Sequence, residues 1–146
     1  MKALTGALAA LALTASASLA AEPFRPTVSV IGVVQAGSGD VAIRQNSTAN
    51  FAGVVQGGAN VSASVQQSGQ YNSASVAQFG KTTNATVLQT GGRLNYGAIS
   101  QSGRNNTAMM GQIGTVNMGR INQSGPNNLA GLGQLGAVNL GRITQR

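Results

Sequence analysis

The sequence predicts an all-β fold, a β-solenoid or cross-β stack of about five 22-residue strand-turn-strand rungs, and three observations predict it. The first is a recurrence of glutamine at Gln35, Gln45, Gln56, Gln67, Gln78, Gln89, Gln101, Gln112, Gln123, Gln134 and Gln145, where eight of ten intervals are eleven residues. The second is a longer period. Gly114 to Gln123 and Gly136 to Gln145 share seven of ten residues at a spacing of 22, and Gly103 to Gln112 and Gly125 to Gln134 share six of ten at the same spacing. Alternate units thus resemble each other more than neighbours do, so one rung holds two non-identical halves. The third is a period of two inside each half: Asn72, Ala74, Val76 and Gln78 fall on one side, as do Asn106, Ala108, Met110 and Gln112. Period two places those side chains on one face of a strand.

At the N-terminus, Met1-Lys2 is followed by an Ala/Leu run from Ala3 to Ala15 and by Ser18-Leu19-Ala20. A positive start, a short apolar stretch and small residues at the cut are the layout of a secretory signal peptide. Residues 1–20 are read as that leader, 21–28 as a short N-terminal segment, and 29–146 as the repeat solenoid. The expected location is extracellular. Removing Lys2 leaves eight positive charges against two negative, a net charge of +6.

Within the repeats, seven-residue strands alternate with turns of four or five residues. Turn glycines are expected at Gly37, Gly58, Gly69, Gly80, Gly91, Gly103, Gly114, Gly125 and Gly136, two places after a glutamine, because a tight reversal calls for positive φ. Residue i then lies over residue i+22, about 4.8 Å away. The ladder of an amyloid-type core is expected from Gln35, Gln56, Gln67, Gln78, Gln89, Gln101, Gln112, Gln123, Gln134 and Gln145, with Asn50, Asn72, Asn84, Asn95, Asn106, Asn117, Asn128 and Asn139. A buried amide is tolerated there because its own copy on the next rung is its hydrogen-bond partner. Ala52, Val54, Ala74, Val76, Ile99, Met110, Ile121, Leu132 and Ile143 supply a thin apolar filling.

Composition excludes most chemistry. The chain has no Cys, no His and only two carboxylates, Glu22 and Asp40. No catalytic site, cofactor site or metal site is expected, and the protein is not read as an enzyme. Outer-membrane barrel strands are longer and carry aromatic girdles. A calcium-binding β-helix needs Asp in its turns. A monomeric secreted solenoid that binds or adheres stays open as an alternative, since only its ends distinguish it from a fibre subunit.

These residues resemble the curlin family, the repeat-bearing subunits of bacterial extracellular amyloid fibres. The family's unit reads Ser-x5-Gln-x-Gly-x-Gly-Asn-x-Ala-x3-Gln. Ser29 and Gln35-Ala36-Gly37-Ser38-Gly39-Asp40-Val41-Ala42 follow it with Asp40 for Asn, and later units match its Gln, Gly, Asn and final Gln. The resemblance implies self-assembly into curli-like fibres for adhesion and biofilm matrix. The partners it implies are further copies of the chain, a homologous curlin subunit, a dedicated outer-membrane secretion pore and periplasmic chaperones. The family has a major subunit and a minor nucleator. Gly141-Arg142-Ile143-Thr144-Gln145-Arg146 is similar to the nucleator's basic tail, whereas regular repeats without gaps resemble the major subunit. Both readings stay open. Arg120, Arg142 and Arg146 form a surface basic stripe, read either as solvated gatekeepers or as a hold on an anionic cell surface.

Overall fold

The computed structural model describes residues 11–14 and 28–146. Four strand segments, β1 (Leu11–Thr14), β2 (Val28–Thr90), β3 (Leu94–Pro126) and β4 (Leu129–Gln145), form one sheet in the order β1-β2-β3-β4. A straight strand of the 63 residues in β2 would reach about 200 Å. Instead β2 coils, bending at corners most of which carry a positive-φ glycine.

Pairing along the coil is parallel. Asn72 lies on Asn95, Gln78 on Gln101 and Gln89 on Gln112, then Ala108 on Ala130, Asn117 on Asn139 and Gln123 on Gln145. The β3–β4 step is 22 residues, as the repeat predicts, whereas the β2–β3 step is 23. The extra residue belongs to the twelve-residue interval between Gln89 and Gln101 and is taken up in the bend at 91–93.

All nine glycines expected at turns have positive φ, from +69 at Gly91 to +142 at Gly114. At Gly80 the φ is +136, and an added Cβ would overlap the carbonyl oxygen of Gly103 on the next rung. The turns differ from expectation in one respect. The sequence predicts seven-residue strands separated by turns, but the ladder runs on through most corners, with Gly80 on Gly103, Lys81 on Arg104 and Gly114 on Gly136. Stacked corners of the same shape keep their N–H and C=O groups aimed along the stack, so a bend need not leave the sheet.

The core is a narrow strip. Ala52, Val54, Ala74, Val76, Ile99, Met110 and Ile121 are buried, together with Ala63, Val65, Ala85, Val87, Ala108 and Ala130. Leu132 and Ile143, in the last rung, are only partly buried because no rung lies beyond them. At the other end, β1 pairs antiparallel with residues 31–34. β1 falls inside the segment read as the leader; the rest of that segment, with Pro23 and Pro26, lies outside the described residues.

Candidate functional site: two amide columns and their open ends

Inward-facing glutamines form two columns. Gln45, Gln67, Gln89, Gln112 and Gln134 make one, with Nε2-to-Oε1 hydrogen bonds of 2.7, 2.8, 2.7 and 2.6 Å. Gln56, Gln78, Gln101, Gln123 and Gln145 make the other, at 2.8, 2.8, 2.7 and 2.8 Å. In every case the N-terminal glutamine donates and the C-terminal one accepts. A second amide proton often crosses the core to a backbone carbonyl of the facing strand. Gln67 donates so to Phe51, Gln89 to Ser73, Gln112 to Tyr96, Gln123 to Thr107, Gln134 to Met118 and Gln145 to Leu129, at 2.9–3.1 Å. These amides therefore fasten rung to rung and face to face.

Asparagine forms a third column with the opposite sense. Asn95 Nδ2 donates to Asn72 Oδ1, Asn117 to Asn95 and Asn139 to Asn117, at 2.8–2.9 Å. Asn95, Asn106 and Asn128 also close their own corners, donating to the carbonyls of Gly91, Ser102 and Ser124. Asn106 is buried, and its Oδ1 accepts from the Asn128 backbone N–H.

Two expected members stand elsewhere. Asn84 is exposed, and Thr83 takes the inward place against Asn106. The cause is parity: Asn84 is five residues before Gln89, and alternation allows only even separations on one face. Gln35 does not join its column either, because its Nε2 donates to its own Gly39 carbonyl. Gln45, absent from the expected ladder, heads a column instead. Its 22-residue distance from Gln67 was the available signal; Ser47 in place of the usual glycine obscured it.

Among the described residues, both ends of the stack carry amide groups without a further amide partner. Near the N-terminal end, Gln45 Oε1, Asn50 Oδ1 and Nδ2, Gln56 Oε1 and Asn72 Nδ2 are buried without a hydrogen-bond partner. Thr83 Oγ1, further along, shares that state. At the C-terminal end, Gln134 and Gln145 each spend one amide proton on a backbone carbonyl and have no further glutamine to receive the other.

On the outer surface Arg120 lies on Arg142 in register, both exposed, and Arg120 Nε donates to Asn122 at 3.3 Å. Arg146 is exposed at the corner beside Gly125. A second stacked basic pair, Lys81 on Arg104, occupies another corner and was not singled out from the sequence. Flanking the Asn column outside, Phe51, Tyr71, Leu94, Tyr96, Val116 and Met118 line an apolar groove of about 580 Å³.

Comparison with known proteins places a family match on this geometry. Residues 92–114, one 23-residue stretch from the corner after Gln89 to Gly114, match the family model described as the curlin associated repeat. That stretch contains Asn95, Gln101, Gly103, Asn106 and Gln112, so the resemblance to the curlin family has support on residues of all three columns. No curated protein and no solved structure matches the chain.

Proposed function

We propose that this chain, a β-solenoid carrying a curlin associated repeat, is a secreted structural subunit that self-assembles into extracellular amyloid fibres of the curli type. The observation that carries the proposal is the pair of unfinished ends. A soluble solenoid covers its terminal rungs with atypical polar caps or blunts its edges. Here the repeat is kept through Gln145, whose amide meets no further glutamine among the described residues, and buried amides near the first rungs lack partners. Each such orphan costs about 1–3 kcal/mol, and another copy continuing the columns would relieve Gln45 Oε1, Gln56 Oε1 and Asn50 Nδ2. In this reading the glutamine and asparagine columns are the amyloid core and residues 1–20 are a removable leader.

The secretion pore, chaperones and homologous subunit follow from the family and belong to the same proposal, as does a role in adhesion and matrix. The stacked Arg120 and Arg142 with Arg146 would hold the fibre to an anionic surface. Fibre diffraction of purified protein tests the core claim: reflections near 4.7–4.8 Å and about 10 Å are expected. A chain that stays monomeric at high concentration for weeks would refute it and favour a monomeric binding solenoid. Trace addition to a slowly assembling homologous subunit separates the two subunit types: loss of the lag marks a nucleator, and assembly in proportion to its own mass marks the bulk subunit.

A further inference from the structure

The eleven glutamine-ended strands alternate between two faces of the coil. An odd number means that the first strand, ending at Gln35, and the last, ending at Gln145, lie on the same face. Two copies placed end to end therefore leave the opposite face one strand short. Ten strands, starting with the one that ends at Gln45, would continue the alternation without a gap.

The first strand is also poorly fitted. Gly37 sits on the carbonyl of Gly58, 21 residues on, and Val30 shares the outer groove with Asn50 and Phe51, so segment 28–35 overlies 50–56. From that seat Gln35 turns its amide back to Gly39 and leaves Gln56 Oε1 without a donor. Asn50 beneath it has neither of its amide atoms bonded.

We propose that copies join by strand exchange: strand 139–145 of one copy displaces segment 28–35 of the next and takes its seat over 50–56. This rests on the self-assembly reading above. The groups match by chemistry and by number. Gln134 Nε2 of one copy meets Gln45 Oε1 of the next, Gln145 Nε2 meets Gln56 Oε1, and Asn139 Oδ1 receives Asn50 Nδ2. All three pairs have one offset of 89 residues (134 to 45, 145 to 56, 139 to 50). Both donor senses continue unchanged, glutamine toward the C-terminal neighbour and asparagine toward the N-terminal one. Inverting one copy would set Gln donor against Gln donor, so the joint is heterologous and the fibre polar. In the exchange Ile143 and Gly141 replace Val33 and Ile31 over Val54 and Ala52.

The chain has no cysteine, which makes the joint directly addressable. With exchange, Leu140 of one copy stacks on Phe51 of the next; simple addition without exchange would stack it on Val30, at an offset of 110. Leu140, Phe51 and Val30 are 83%, 48% and 39% exposed. Single-cysteine chains L140C, F51C and V30C, freed of the leader 1–20 whose β1 lies on residues 31–34, are assembled in pairs under reductant, checked for fibres, then oxidised. Disulfide-linked dimer is expected from L140C with F51C, and only background from L140C with V30C or L140C alone. The pair T144C with V55C, against T144C with V34C, repeats the comparison at a second place in case one substitution hinders folding. Fibres that link through V30C and V34C, through L140C alone, or through no pair would overturn the exchange while leaving self-assembly intact. Absence of fibres from every chain, the unsubstituted one included, would overturn self-assembly and the exchange with it.

Discussion

Gln101→Glu probes the columns with a change of one atom. Gln101 is fully buried; it accepts from Gln78 at 2.8 Å and donates to Gln123 at 2.7 Å. A protonated glutamic acid reproduces both bonds, its carbonyl accepting from Gln78 and its O–H donating to Gln123. An ionised one faces the Gln123 carbonyl oxygen with negative charge and no donor. Burial and that oxygen both oppose ionisation, and fully buried carboxyls rise by about 3–5 pH units. At about 1.4 kcal/mol per unit the variant loses about 4–5 kcal/mol at pH 8, about 3.7 pH units above the unfolded value of about 4.3. That is a large part of the 5–15 kcal/mol typical of a domain. The sign follows from linkage. A carboxyl whose folded-state pKa is raised helps folding below the unfolded value near 4.3, and its deficit opens as pH rises toward the folded value. Guanidinium midpoints by circular dichroism at pH 4 and pH 8 measure it. The parent chain gives a flat baseline over that range, since it has only Glu22 and Asp40. The exposed Gln66→Glu should match the parent at both pH values. A Gln101→Glu chain equally stable at pH 4 and pH 8 would mean that Gln101 is solvated, and the column account would be wrong.

Further outcomes follow from the same geometry. Gly114→Ala should destabilise severely, because φ is +142 and the new methyl would overlap the Gly136 carbonyl; Gly111→Ala, with nothing near its new Cβ, should lie within about 0.5 kcal/mol of the parent in the same denaturation assay. Met110→Ala removes a buried side chain from the narrow core and should cost about 2–5 kcal/mol by the same midpoint measurement. Replacing Arg120, Arg142 and Arg146 by glutamine should preserve fibre diffraction and reduce retention on anionic vesicles in a sedimentation assay. Assembly followed by light scattering should speed up with added salt, since chains of net charge +6 without the leader repel one another and salt shortens that repulsion to a screening length of about 10 Å at 0.1 M.

Much of the fold was legible because a period of 22 dictates a register, and register dictates which side chains meet. Gln101 over Gln123 and Asn117 over Asn139 follow from counting alone. Parity at corners was harder. The six-residue count back from Gln89 already points to Thr83 rather than Asn84, but the positive φ at Thr82 by which the bend after Gly80 delivers it there leaves no mark in the sequence. The exchange of roles between Gln35 and Gln45 had a similar cause, a ten-residue interval that throws Gln35 out of step. The sense of amide donation was invisible, because Asn and Gln can each donate in either direction until a backbone carbonyl claims one proton.

The bend at Gly91-Gly92-Arg93 admits one residue beyond the usual count while the columns on both sides stay in line. An added Cβ at Gly91 meets no atom within 4 Å. Peptide length is thus forgiven at this corner. A short epitope grafted there would decorate each molecule once. In an assembled filament such tags would recur about every 24 Å, the height of five storeys at 4.8 Å.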